Sequence, residues 1–76
     1  MANSDKEVAN PPLTDRERMC LALLAKGRRI QAIAQMLNIA PVTVEMHLRN
    51  ARSKLKASTM PQAVAIAIMA GLIADS

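Results

Sequence analysis

The sequence predicts an all-α domain of four short helices. Two observations carry this. Apolar residues recur at helical spacing in four separate runs. Most run boundaries hold residues that start or stop helices: Thr14, Pro41 and the pair Ser58 and Thr59 before a run, Gly27, Asn38 and Gly71 after one. The chain has 76 residues, enough for one small domain that buries a limited fraction of its surface.

Residues 1–12 are polar, show no apolar period and end in Pro11 and Pro12, so they read as a flexible arm preceding a domain at 13–76. Thr14 and Glu17 have the spacing of a capping box, with Leu13 in the staple position before the cap. The first helix is expected from Asp15 to about Lys26, with Cys20, Leu21 and Leu24 as its core stripe and Gly27 ending it. The second runs from about Ile30 to Leu37, and Ile30, Ile33, Ala34 and Leu37 share one face. Asn38 tolerates the left-handed conformation that closes a helix. Pro41 suits the first position of the next.

The third helix is expected from Pro41 to about Leu55. Val44, Leu48, Ala51 and Leu55 form its buried stripe, while Glu45, Arg49, Arg52 and Lys56 recur on another face. A short helix, a tight turn and a longer helix with a basic outer face describe a helix-turn-helix, whose longer helix fits the DNA major groove. The last helix, about Pro61 to Ala70, contains "AVAIAIMA", apolar on every side. A helix apolar all round is normally buried, and three short neighbours cannot cover it. It is expected to place one face on the core and another on an identical partner; the alternative is that small alanines simply tolerate exposure.

Charge supports a nucleic-acid surface. Between Arg16 and Lys56 there are nine basic residues and two acids, a surplus of seven, against +4 for the whole chain. The absence of Phe, Tyr and Trp argues against stacking platforms for single strands. The single cysteine, Cys20, reads as a small buried hydrophobe, and a lone thiol fits a reducing compartment. The six methionines read as core filler. No apolar run approaches the ~20 residues of a membrane span. A cytoplasmic, nucleoid-associated protein is the expectation. One histidine, His47, lies beside a buried stripe, where packing or hydrogen bonding is expected of it. No phosphate loop or metal-ligand spacing is present, so no enzyme, cofactor or metal is expected.

"LTDRERMCLALLAKG", "IAQMLNIAPVTVEMHLRNARSKLKAS" and "QAVAIAIMAGLI" together resemble the LuxR-type helix-turn-helix domain of bacterial transcription regulators, in its quorum-sensing branch. No single piece is specific; their order and spacing are. The resemblance covers about Leu13 to Ile73. It implies a four-helix domain that regulates transcription by binding inverted-repeat sites as a two-fold dimer, the third helix reading DNA and the fourth dimerising. Base contacts would fall to Glu45, Met46 and Arg49. Backbone contacts would fall to Gln31 and Thr43, with Arg52, Lys54 and Lys56 meeting phosphates. Val64, Ala65, Ile68 and Met69 would form the dimer face.

Departures from the family pattern carry expectations of their own. Ala40 stands where the family often caps with Ser, and Arg29 and Ala32 stand where a capping box is usual. Losing a cap costs about 1 kcal/mol, so the second helix should be the less stable part. Arg28 and Arg29 conflict with the dipole at that helix's start, a conflict a DNA phosphate would relieve. The signal-receiving domain common in the family does not fit in 76 residues. The chain is expected to be either an excised domain or a stand-alone regulator, with no small-molecule signal of its own.

Glu45 is an acid on a basic helix. One reading is structural: it is spaced for a pair with Arg49 and sits near the first turn, where the dipole favours it. The other is that it accepts from a cytosine amino group. Two further functions compete with a homodimeric DNA binder. One is an interaction protein that pairs through helix 61–70 with a full-length LuxR-type regulator and blocks it. The other is a sigma-factor-like module touching RNA polymerase as well as promoter, against which the apolar closing helix argues.

Overall fold

The structure, a computed structural model, describes residues 13–74. The arm assigned to residues 1–12 lies outside them. Four helices follow in order: α1 (Asp15–Ala25), α2 (Ile30–Leu37), α3 (Pro41–Lys54) and α4 (Met60–Met69). No strand occurs among the described residues.

Each helix starts as its first residues dictate. Thr14 completes the capping box of α1. Its hydroxyl accepts the Glu17 backbone N–H at 3.1 Å, and Glu17 Oε1 accepts the Thr14 backbone N–H at 2.9 Å. Of the two candidates before α4, Thr59 is the cap, accepting from the Gln62 backbone N–H. Ala40 and Arg29 precede α3 and α2 without a side-chain cap, and α3 has Pro41 in its first turn instead.

The helix ends share one device. A left-handed residue follows each helix: Gly27 (φ 89°), Asn38 (φ 58°), Lys56 (φ 57°) and Gly71 (φ 76°). At each, its N–H and the next turn back onto the final helical carbonyls. Gly27 and Arg28 bond Leu24 and Leu23; Asn38 and Ile39 bond Gln35 and Ala34; Lys56 and Ala57 bond Ser53 and Arg52; Gly71 and Leu72 bond Ile68 and Ala67. Asn38 therefore does what its sequence position promised. Lys56 was not expected there. It lies beyond the end of α3 in a turn, so the basic face read from Glu45 through Arg49 and Arg52 stops before it.

α3 packs against all three other helices, whereas the backbones of α2 and α4 do not come together. The core is Leu13, Cys20, Leu21, Ile33, Ala34, Val44, Leu48, Ala51, Ala57, Ala63, Ala67 and Ile73. Leu24, Ile30, Leu37 and Leu55 pack at its edge, half-buried. Cys20 is fully buried and its thiol is pushed up by that burial, which makes it an inert hydrophobe.

The methionines depart from expectation. Met19, Met36, Met46 and Met69 are exposed and Met60 is half-buried, so none of the five described methionines fills the core. The buried positions go instead to Leu, Ile, Val and Cys together with five alanines: Ala34, Ala51, Ala57, Ala63 and Ala67.

Candidate nucleic-acid interface

The placement of α3 follows from the turn before it. Asn38 reverses the chain, Ile39 stays half-buried, and Pro41 begins the helix three residues after Asn38. Val44, Leu48 and Ala51 then hold one side of α3 in the core. The 3.6-residue period turns Val42, Glu45, Met46, Arg49, Asn50 and Ser53 outward, and all six are exposed. Thr43 and Arg52 flank that face, half-buried.

The expected base-reading residues Glu45, Met46 and Arg49 thus share the open face of α3. Glu45, Arg49 and Arg52 also line one edge of a shallow groove floored by Leu24, Ile30, Leu48 and Met60. On the other side, Gln31 and Gln35 of α2 line a cleft with Asn38, Ala40 and Pro41. Gln31 is therefore placed beside the start of α3. Arg28 and Arg29 are exposed immediately before α2, and Arg29 occupies its uncapped N-terminus.

Among the described residues the ion pairs are Arg18 with Asp15, and Lys54 with Glu17. Glu45 and Arg49, although spaced for pairing, are not joined, which removes the salt bridge from the structural account of Glu45. Arg28, Arg29, Arg49 and Lys56 have no carboxylate partner among the described residues.

Lys54, one of the expected phosphate contacts, also holds a contact inside the domain. Its Nζ lies 2.9 Å from Glu17 Oε1, and Glu17 is only 4% exposed. The contact ties the start of α1 to the end of α3. Burial alone pushes the Glu17 carboxyl up, but the Lys54 hydrogen bond and charge and the Thr14 hydrogen bonds outweigh it, holding the carboxyl below its ordinary value. Arg52 is partly engaged as well, reaching the Ala57 carbonyl at 3.4 Å. Periodicity along one helix could not reveal the Glu17–Lys54 pair, because its members lie 37 residues apart.

Residues of the expected dimer face lie on α4. Ala63 and Ala67 face the core, Val64 and Ile68 are half-buried against its edge, and Ala65 and Met69 are open, Met69 at 85% exposure. His47 is half-buried and makes no side-chain hydrogen bond among the described residues. No cluster of potential metal ligands occurs among the described residues, and no helix is long and apolar enough to cross a membrane.

A bundle of four helices whose second and third form a helix-turn-helix with an open, partly basic third helix is a DNA-binding domain of transcription regulators. The chain belongs to the luxR family of bacterial regulatory proteins, whose family model, named GerE, matches residues 11–67. It is 44% identical over 61 residues to the quorum sensing-dependent transcriptional regulator VjbR of Brucella ovis, covering 80% of this chain and 24% of VjbR. It is 40% identical over 60 residues to the transcriptional regulatory protein FixJ of Azorhizobium caulinodans, covering 79% of this chain and 28% of FixJ. The chain thus spans between a fifth and a third of the length of these relatives. Among solved structures, the transcription factor GerE superposes with a TM-score of 0.81 at 31% identity, covering 84% of this chain and 96% of that one. The phage VqmA–DPO complex matches with a TM-score of 0.73 at 30% identity, covering 92% of this chain and 34% of the other.

Proposed function

We propose that this domain binds an inverted-repeat operator as a homodimer and regulates transcription there, with α3 in the major groove. The outward face of α3 carries the reading: six exposed residues on one side of a helix whose other side is locked in the core. In this arrangement Glu45, Met46 and Arg49 meet base edges. Arg28, Arg29, Gln31, Thr43, Arg52, Lys54 and Lys56 meet the phosphate backbone, Lys54 while paired with Glu17. Glu45, free of Arg49, is available to accept from a cytosine amino group.

The open strip of α4 supports the dimer. Ala65 permits close approach, with Val64, Ile68 and Met69 around it. Selection of bound sites from random DNA, together with sedimentation of the pure domain, tests the proposal. A palindromic site and a dimer are expected. Replacing Arg49 with Ala should cost about 1–3 kcal/mol at one base pair of each half-site and little elsewhere.

The same open strip fits a second reading, pairing with a longer LuxR-type regulator to inactivate it. Mixed dimers that form without any DNA binding by the pure domain would favour that reading over the first.

A further inference from the structure

Val42 stands apart on α3. It is a β-branched apolar side chain in the helix's first turn, and it is 69% exposed. No core position needs it, since Val44 fills the neighbouring site in the core completely. α4 does not use it either, because it lies on the outward face with Glu45 and Met46. Being β-branched, it carries two methyl groups on Cβ, close to the backbone, and has few rotamers to lose on binding. Helical side chains lean toward the N-terminus, which carries those methyls over the turn between α2 and α3. That end of a recognition helix is the one that reaches base edges.

We propose that Val42 is a specificity-determining residue that packs against the C5-methyl group of a thymine. The inference rests on the reading of α3 as a major-groove helix and adds a base to it. Val42 and Glu45 are three residues apart, about 4.5 Å along the helix axis. Successive base pairs are about 3.4 Å apart. On that spacing Val42 and Glu45 face different bases of the same half-site. Val42 and Met46, at i and i+4, form an apolar strip beside the polar strip of Glu45 and Arg49. Apolar groups in the major groove distinguish thymine by its methyl, and a carboxylate distinguishes cytosine by its amino group. The face thus combines two kinds of recognition in adjacent positions.

The test uses the full chain and the site obtained by selection. Each thymine is replaced in turn by deoxyuridine, which removes only the methyl group, and affinity is measured for the wild-type protein and for Val42→Ala. One thymine per half-site should be sensitive through Val42, with a loss of about fourfold, or about 0.8 kcal/mol for the buried methyl. Val42→Ala, with only its Cβ left to face the methyl, should lose most of that difference between the thymine and deoxyuridine sites. Because Val42 is exposed, its far-UV circular dichroism and melting should match those of the wild type. A selected site with no deoxyuridine-sensitive thymine overturns the proposal, as does a Val42→Ala protein that keeps the sensitivity. A chain that selects no DNA site at all overturns the underlying reading of α3 along with it, and so the two failures are separable.

Discussion

Replacing Lys54 with Met should destabilise the domain far more than removal of a surface charge. The substitution keeps an apolar stem and removes the ammonium that faces Glu17 at 2.9 Å. Glu17 is 4% exposed, so its carboxylate is left in the protein with Thr14 as its one remaining described partner. Breaking a buried pair by removing one member costs about 3–5 kcal/mol. The Lys54 side chain is 30% exposed, so water reaches part of the vacated space and lowers the cost to about 2–3 kcal/mol. For a domain of this size that is a fall in melting temperature on the order of 10–20 °C.

Far-UV circular dichroism melts measure it, the chain having no aromatic residue to report otherwise. Adding Glu17→Gln should recover most of the loss, because Gln keeps the capping-box acceptor and no charge is left buried. The pair also sets an acid limb. The folded carboxyl lies below its ordinary value, so near and below that value the unfolded chain binds more protons. The stabilisation is fully present above the unfolded pKa and is lost as pH falls through the folded one. In Lys54→Met the folded carboxyl moves back toward or above the unfolded value, so the acid limb flattens. A Lys54→Met protein melting within about 0.5 kcal/mol of wild type, with an unchanged acid limb, would show the pair to be no more than an exposed surface contact.

Three further outcomes are expected. Asn38→Val places a β-branched side chain at φ 58° and should lower stability by about 1–2 kcal/mol, whereas Asn38→Gly should be nearly neutral; thermal melts of both check the turn. Met69→Glu puts a charge on the most exposed large apolar side chain among the described residues, so it should leave the fold intact and turn a dimer into a monomer by sedimentation; a persisting dimer would move the interface away from α4. Replacing Arg28 and Arg29 with Ala should reduce the slope of log affinity against log salt by roughly 3–4 for a dimer, if both meet phosphate on each half-site, without changing base preference. An unaltered slope would leave the two arginines as solvated charges before an uncapped helix.

Local signals reached far into this fold because each depends on a few neighbouring residues. The capping box of Thr14 and Glu17, the left-handed Asn38, Pro41 at the start of α3 and the stripe Val44, Leu48, Ala51 follow from hydrogen-bond reach and helical period. They suffice to place α1, α2 and α3 and to turn Glu45, Met46 and Arg49 away from the core. The same period misled where the helix stopped. Lys56 belonged to the basic face only if α3 continued, and the bonds from Lys56 and Ala57 back to Ser53 and Arg52 end it first.

Tertiary packing decided the rest. Composition could not tell a core methionine from a surface one, because Met suits both settings; the packed helices left the described methionines outside the core or at its edge. Lys54 was one more cation in a basic run until α1 and α3 came together, since a charge pair across 37 residues leaves no trace in local spacing. The amino-acid order dictates which face each helix offers. Which residues on that face stay free to meet DNA depends on what the other helices bring against it.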